Sequence, residues 1–158
     1  MTFAPPTVYF CPSCNKPMLK RNFRSYTVRD SASYSDGYRT GGPHFTPDLA
    51  KCPNCMAVFF LHNLCEKKED TPYEERQSYK DIGDPDLDNY IKAVGEGLAK
   101  NVDEEKQLRM DLWRGINGTI RGTQKELLGD MLVLWQDNCA ALLPLMEKTL
   151  KEMRLKKK

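Results

Sequence analysis

Cys11-Pro12-Ser13-Cys14 and Cys52-Pro53-Asn54-Cys55 are the stretches that decide the reading of this 158-residue chain. A C-x-x-C turn brings two sulfurs to adjacent corners of a tetrahedron around one ion, and two such turns complete it. Zn²⁺ favours four thiolates at about 2.3 Å, and a site whose four positions are all filled by protein is structural, with no open position for a substrate. The 37 residues between Cys14 and Cys52 exceed the roughly 15 to 20 of the compact pattern. A hairpin turning at Asp36-Gly37, flanked by Tyr34 and Tyr38, accounts for the excess. The expected ligands are Cys11, Cys14, Cys52 and Cys55, holding one zinc ion.

A redox centre needs one C-x-x-C, not two each joined to a strand. A single iron ion is the closer rival, because it takes the same S₄ geometry. Pro12 and Pro53 resemble the metal-binding turns of rubredoxins, where glycine usually follows the second cysteine. Here Asn15 and Met56 follow. Asn tolerates the left-handed conformation and Met does not adopt it readily, which favours zinc over iron. His44, His62 and Cys65 lie near the pairs, but four cysteines already fill a tetrahedron, so these read as surface or packing residues. Cys139, in an apolar stretch, reads as a small core residue.

Outward from the cysteines, Thr7 to Phe10 reads as a strand entering the first pair and Ala57 to Leu61 as one leaving the second, with a further strand over Phe23 to Arg29. Gly41-Gly42-Pro43 and Thr46-Pro47-Asp48 punctuate the approach to the second pair. Small antiparallel β structure therefore fits residues 7 to 62. At Glu66 a charged run closed by Pro72 begins a linker, giving expected divisions of 1–65, 66–83 and 84–158.

Past the linker the period becomes helical. Asp84-Pro85 reads as an N-cap and first helical residue, with Leu87, Tyr90, Ile91, Val94 and Leu98 on one face of a helix from about 85 to 100. A second helix, about 103 to 117, starts with Asp103, Glu104 and Glu105 and carries Leu108, Leu112, Ile116 and Ile120. Gly115, Gly118 and Gly122 read as fraying and a turn. Thr123 and Glu126 have the spacing of a capping box for a third helix. Leu127, Leu128, Met131, Leu132, Leu134 and Trp135 make that helix apolar on more than one side, hence central to the packing. Pro144 either kinks it or sits near the start of a fourth. The fold class is α+β: an N-terminal antiparallel zinc ribbon, then a small all-helical domain of three to four helices.

The arrangement of Cys11-Pro-Ser-Cys14, Tyr34-Ser-Asp-Gly37 and Cys52-Pro-Asn-Cys55 before an aromatic strand is similar to little-characterised bacterial zinc-ribbon proteins in which a helical, sometimes tetratricopeptide-like, region follows. The stretch Leu108-Arg109-Met-Asp-Leu112-Trp113-Arg-Gly-Ile-Asn117, with Arg121, looks like their helical segment. The resemblance implies zinc binding and an interaction role, with no known reaction.

Hydrophobic residues at 40% and charged residues at 29% exclude a wholly disordered chain and a membrane protein. The longest purely apolar runs, Met56 to Leu61 and Cys139 to Met146, fall far below the roughly 18 residues of a membrane span. Met1 to Phe10 lack the features of a secretory signal, so a cytoplasmic location is expected. The net charge of +2 divides into +4 for residues 1 to 65, −7 for 66 to 147 and +5 for 148 to 158. The basic tail reads as a solvated helix end.

Two functions compete. In the first, zinc holds a ribbon too small to fold on its own core and the helices present a surface to a protein partner. Trp113, with Arg109 and Arg114, is then either an aromatic and arginine anchor or a flank of the bundle core. In the second, the ribbon binds nucleic acid through Arg21, Arg24, Arg29 and Arg39, interleaved with Tyr26, Tyr34 and Tyr38, cations for phosphates and rings for stacked bases. With two histidines, no glycine-rich phosphate loop and no nucleophile motif, the chain does not read as an enzyme.

Overall fold

The computed structural model describes residues 2–25, 48–64, 78–123 and 129–155. It divides into two units, Met1–Pro85 and Asp86–Lys158. Small β-sheets occupy the first and three helices the second, an α+β layout. No helix among the described residues is long and apolar enough to cross a membrane.

The first unit is built on two antiparallel hairpins, each turning through one C-x-x-C. Strand β1 (Thr2–Phe10) leads into Cys11 and β2 (Pro17–Ser25) leaves it. Strand β3 (Leu49–Lys51) leads into Cys52 and β4 (Val58–Phe60) leaves it. The strand expected over Phe23 to Arg29 overlaps β2 at residues 23–25, while β2 begins earlier, at Pro17, and residues 26–29 lie outside the described residues; β3 is not marked in the sequence. Pro5 and Pro6 have no N–H to donate, and between Ala4 and Thr7 the β1–β2 register slips by one residue, as proline in a ladder requires. The Asp36-Gly37 turn lies outside the described residues.

Strand β5 (Lys80–Asp81) belongs to a stretch expected as linker, and the structure corrects that expectation at residues 80 to 83. Strand β5 pairs parallel to β2, Met18 opposite Lys80 and Leu19 opposite Asp81, and Ile82 N–H donates to Leu19 O at 2.8 Å. One residue on, Gly83 and Lys51 exchange both backbone bonds, at 2.9 and 3.0 Å. Segment 80–83 thus bonds to one hairpin on one side and to the other at its end, where unpaired backbone groups would otherwise lose their partners. Ile82 also packs on the core cluster of Tyr9, Cys11, Met18, Ala50, Cys52 and Phe59. Two of those six are cysteines of the metal motif, and Val8, Leu19, Leu49 and Phe60 are also buried in this unit.

In the second unit, α1 (Leu87–Gly95) is capped by Asp86 and not by Asp84. Asp86 Oδ1 accepts from Asn89 N–H at 2.9 Å, and Asn89 Oδ1 accepts from Asp86 N–H at 3.1 Å, a reciprocal capping box. Because Asn89 completes the box only with Asp86, the helix starts two residues later than the Asp-Pro signal implied. It ends at Gly95, not near 100, because Gly97 takes φ +64°. There Leu98 N–H donates to Ala93 O and Gly97 N–H to Val94 O, closing a Schellman motif.

Helix α2 (Val102–Thr123) is capped by Asn101, whose Oδ1 accepts from Glu104 N–H at 2.9 Å, while buried Glu104 reaches back to Lys100 N–H at 2.7 Å. It runs unbroken past Gly115, Gly118 and Gly122, correcting the expected turn. Gly115 has a packing role: a Cβ there would lie 3.2 Å from Leu87 Cδ1 and 3.8 Å from a Tyr90 ring carbon, so the missing side chain lets α1 approach. Thr123 is the last residue of α2 and not the cap of the next helix; Glu126, Leu127 and Leu128 lie outside the described residues.

Helix α3 (Asp130–Leu155) follows Gly129, which has φ +57°. Pro144 lies inside it, so one helix and not two spans this stretch. The expected central place of this helix is also corrected, since α2 packs against both α1 and α3. Leu108, Leu112 and Ile116 of α2 are fully buried, while α3 buries only Asn138 and Leu142. An apolar helix with one neighbour leaves the rest of its apolar surface uncovered.

Asn138, 2% exposed, ties α3 to α2. Its Nδ2 donates to Arg109 O at 3.0 Å, and Arg109 donates to Asn138 Oδ1 at 3.4 Å and to Glu105 Oε1 at 2.5 Å. Removing one side of a buried polar pair strands the other. Asn138→Ala is expected to destabilise the helical unit by about 1–3 kcal/mol, read as a lower urea midpoint of the far-ultraviolet helix signal; an unchanged midpoint would show the bond contributes nothing net.

Candidate metal centre

Each C-x-x-C turn is built the same way. Cys11 N–H donates to Lys16 O and Asn15 N–H to Cys11 O; in the second turn Cys52 N–H donates to Ala57 O and Met56 N–H to Cys52 O, all between 2.8 and 3.0 Å. Backbone N–H groups also point at the sulfurs, Ser13 toward Cys11 Sγ at 3.4 Å and Asn54 toward Cys52 Sγ at 3.3 Å. The residue after the second cysteine is left-handed in both turns, Asn15 at φ 54° and Met56 at φ 63°. This overturns the sequence argument that methionine disfavours a rubredoxin-like turn, because the closing hydrogen bonds hold Met56 there. The turn geometry therefore does not separate zinc from iron.

The two turns bring all four sulfurs together. The Sγ atoms of Cys11, Cys14, Cys52 and Cys55 lie within 4.8 Å of one another. Cys11 Sγ is 3.6 Å from Cys55 Sγ, and Cys14 Sγ is 3.8 Å from Cys52 Sγ. Four thiolates at about 2.3 Å from one ion define a tetrahedron with an edge of about 3.8 Å, so the donor set has the size a metal ion requires. The first cysteine of each turn is buried; Cys14 is half-buried and Cys55 exposed. Among the described residues this is the one group of three or more ligating side chains close enough to share an ion.

Electrostatics within the cluster is unequal. Burial raises the Cys52 thiol, but the N–H groups of Cys55 and Asn54 and the sulfurs of Cys11 and Cys55 outweigh it and bring Cys52 down from 9.0 to about 7. At Cys55 the Ala57 N–H acts downward, yet desolvation and the other three sulfurs push the thiol up to about 12. Burial also moves Cys11 upward. Once one sulfur ionises, the others resist, and it takes a cation to hold four thiolates this close.

His62 stays outside the cluster, exposed and tilted against Phe60 with ring centroids 5.3 Å apart. His44 and Cys65 lie outside the described residues. Cys139 is half-buried on α3, and burial raises its thiol. Of the residues expected to touch nucleic acid, Arg21 donates to Asp81 Oδ2 at 2.8 Å, and Arg24 lies in β2. Tyr26, Arg29, Tyr34, Tyr38 and Arg39 lie outside the described residues. Trp113 is half-buried on α2. Arg109 is engaged with Glu105 and Asn138, and Arg114 with Asp111 at 3.1 Å. Sequence reasoning missed the sulfur-directed N–H groups and the 80–83 segment; the aligned Pro12/Pro53 and Asn15/Met56 positions carried the signal for the first, and nothing local marked the second.

No family model, curated protein or solved structure matches this chain.

A side chain in the left-handed region costs roughly 1–2 kcal/mol that glycine avoids, and Met56, 58% exposed, has little packing to lose. Met56→Gly is therefore expected to stabilise the β unit by about 1 kcal/mol, read as a higher denaturant midpoint of metal-loaded protein. Asn15→Gly should give less, since asparagine tolerates this conformation.

Proposed function

We infer that the chain is a zinc-ribbon protein in which a structural Cys₄ zinc site holds the β unit together and the helical unit serves as a protein-interaction surface. The observation that carries this reading is the gathering of four sulfurs within 4.8 Å of one another, with backbone N–H groups aimed at those of Cys11 and Cys52. Cys11, Cys14, Cys52 and Cys55 would hold the ion, which supplies folding free energy of order 10 kcal/mol to a unit whose core contains two of its ligands. With four protein ligands no position is left for a substrate, so the reading is a binding protein and not an enzyme. Zinc is preferred to iron because it carries no redox chemistry that the reading would leave unused.

The interaction role rests on the helical unit, where Leu143, Leu150 and Met153 are each more than half exposed. Apolar side chains clustered in solvent mark contact surfaces more often than catalytic ones. Among the described residues nucleic-acid binding draws less support, since Arg21 is paired with Asp81.

Elemental analysis of protein purified without added metal is expected to give one zinc per chain. A chelator should then abolish the β signal while leaving the helical far-ultraviolet signal, whereas iron or an empty, stably folded β unit would overturn the zinc reading. Oligonucleotide binding in a fluorescence anisotropy salt series would overturn the interaction reading in favour of nucleic acid.

Each coordinating sulfur must lose its proton, so apparent zinc affinity is expected to fall as pH falls. Above pH 7 Cys52 is already ionised; below it a further proton competes, and the decline should steepen. Competition with a chromophoric chelator between pH 6 and 8.5 reads this slope, and a flat profile would contradict thiolate ligation.

A further inference from the structure

Helix α3 carries two seams with the same spacing, one residue apart. Met131, Trp135, Asn138, Leu142, Leu145 and Thr149 alternate steps of four and three and are all buried or half-buried. This seam faces α2, as Asn138 with Arg109 and Thr149 with Lys106 show. Shifted by one residue, Leu132, Gln136, Cys139, Leu143, Met146, Leu150 and Met153 repeat the same alternation. Of these only Cys139 is half-buried; Leu132, Met146, Leu150, Met153 and Leu143 are 37%, 40%, 54%, 54% and 60% exposed. Steps of three and four sustained over three heptads are the a/d pattern of a coiled coil, with Gln136, Leu143 and Leu150 at a and the other four at d. A helix that only covered a core with its apolar face would not repeat that pattern on its exposed side.

We propose that this second seam pairs with the same seam of a second copy of the chain, as an antiparallel helix pair. The seam pairs with itself in two antiparallel registers seven residues apart: the first sets Leu143 against the partner's Met146, Cys139 against its Leu150 and Gln136 against its Met153, and the second sets Leu143 against its Cys139, Gln136 against its Met146 and Leu132 against its Leu150. The flanking positions put Ala140 beside the partner's Glu147 and Val133 beside its Arg154 in the first, and Val133 beside its Glu147 in the second, so no like charges meet in either. Direction follows from charge along the sequence: residues 130–142 carry Asp130 and Asp137 and no basic residue, whereas residues 143–158 carry six basic residues against Glu147 and Glu152. Antiparallel pairing sets opposite ends together, and parallel pairing would set like ends together. A strip about 32 Å long and about 10 Å wide on each copy is below a standard interface, so the dimer is weak and reversible.

This inference deepens the interaction reading by naming its partner, and it can fail separately from the zinc reading, because metal content and mass are measured independently on one sample. Sedimentation equilibrium of the full-length, zinc-loaded chain is expected to show a reversible monomer–dimer equilibrium. The L143E/L150E double variant should shift the midpoint to at least tenfold higher concentration, with zinc content and helical signal unchanged. A wild-type chain that stays monomeric at several hundred micromolar, or a variant that dimerises as well as wild type, would overturn the pairing.

Direction has its own readout. In a parallel pair every seam residue faces its own twin, whereas in either antiparallel register the two copies of residue 153 lie at least about 25 Å apart along the axis. A short bis-maleimide followed by peptide mapping should therefore leave the introduced thiol of M153C uncrosslinked to its twin in the dimer that sedimentation detects. Crosslinking between the two introduced thiols would overturn the antiparallel pairing.

Discussion

Four thiols drawn to within 4.8 Å of one another are the constraint on which the β unit depends. The cluster in which Tyr9 and Met18 of one hairpin pack with Ala50 and Phe59 of the other also contains two of the cysteines, Cys11 and Cys52. Left to themselves, sulfurs this close resist ionising together: backbone N–H groups and neighbouring sulfurs bring Cys52 down to about 7, while desolvation and the other three sulfurs push Cys55 up to about 12. A divalent cation reverses that balance, converting mutual repulsion into shared attraction. The backbone prepares for this by turning N–H groups of Ser13 and Asn54 toward the sulfurs and by holding Asn15 and Met56 in a conformation few side chains favour.

The second support is a short segment of backbone. Residues 80 to 83 bond to β2 through Ile82 and to β3 through Gly83, so the hairpins are joined by a ladder as well as by sulfur. Arg21 and Asp81 close the same junction at its solvent side, though an exposed ion pair of this kind adds little stability.

The helical unit is organised differently, around α2. Leu108, Leu112 and Ile116 give it a fully buried stripe, Gly115 lets α1 close in, and Asn138 fixes α3 by a buried polar bond. Because α3 packs mainly against α2 among the described elements, one of its two apolar seams is used within the unit and the other is left in solvent. The number of neighbours, not the composition of the helix, sets how much of it is covered.

Much of this was present in the residues themselves. The paired cysteines, the turns they form, the acidic start of α2 and the Leu108, Leu112, Ile116 stripe are local patterns, fixed by spacings of three or four residues, and they can be read without knowing what lies across the chain. What only the tertiary structure decided is which groups meet over long separations. Lys80 and Asp81 look like any charged linker, yet they pair with Met18 and Leu19 because backbone groups bond without regard to side-chain type. Met56 is left-handed against its own preference because the turn's hydrogen bonds outweigh that cost. The start of α1 moved from Asp84 to Asp86 because a cap needs a reciprocal partner, here Asn89. Whether an apolar side chain on α3 is covered depends on the neighbour opposite it, and periodicity within one helix carries no record of where the next helix lies.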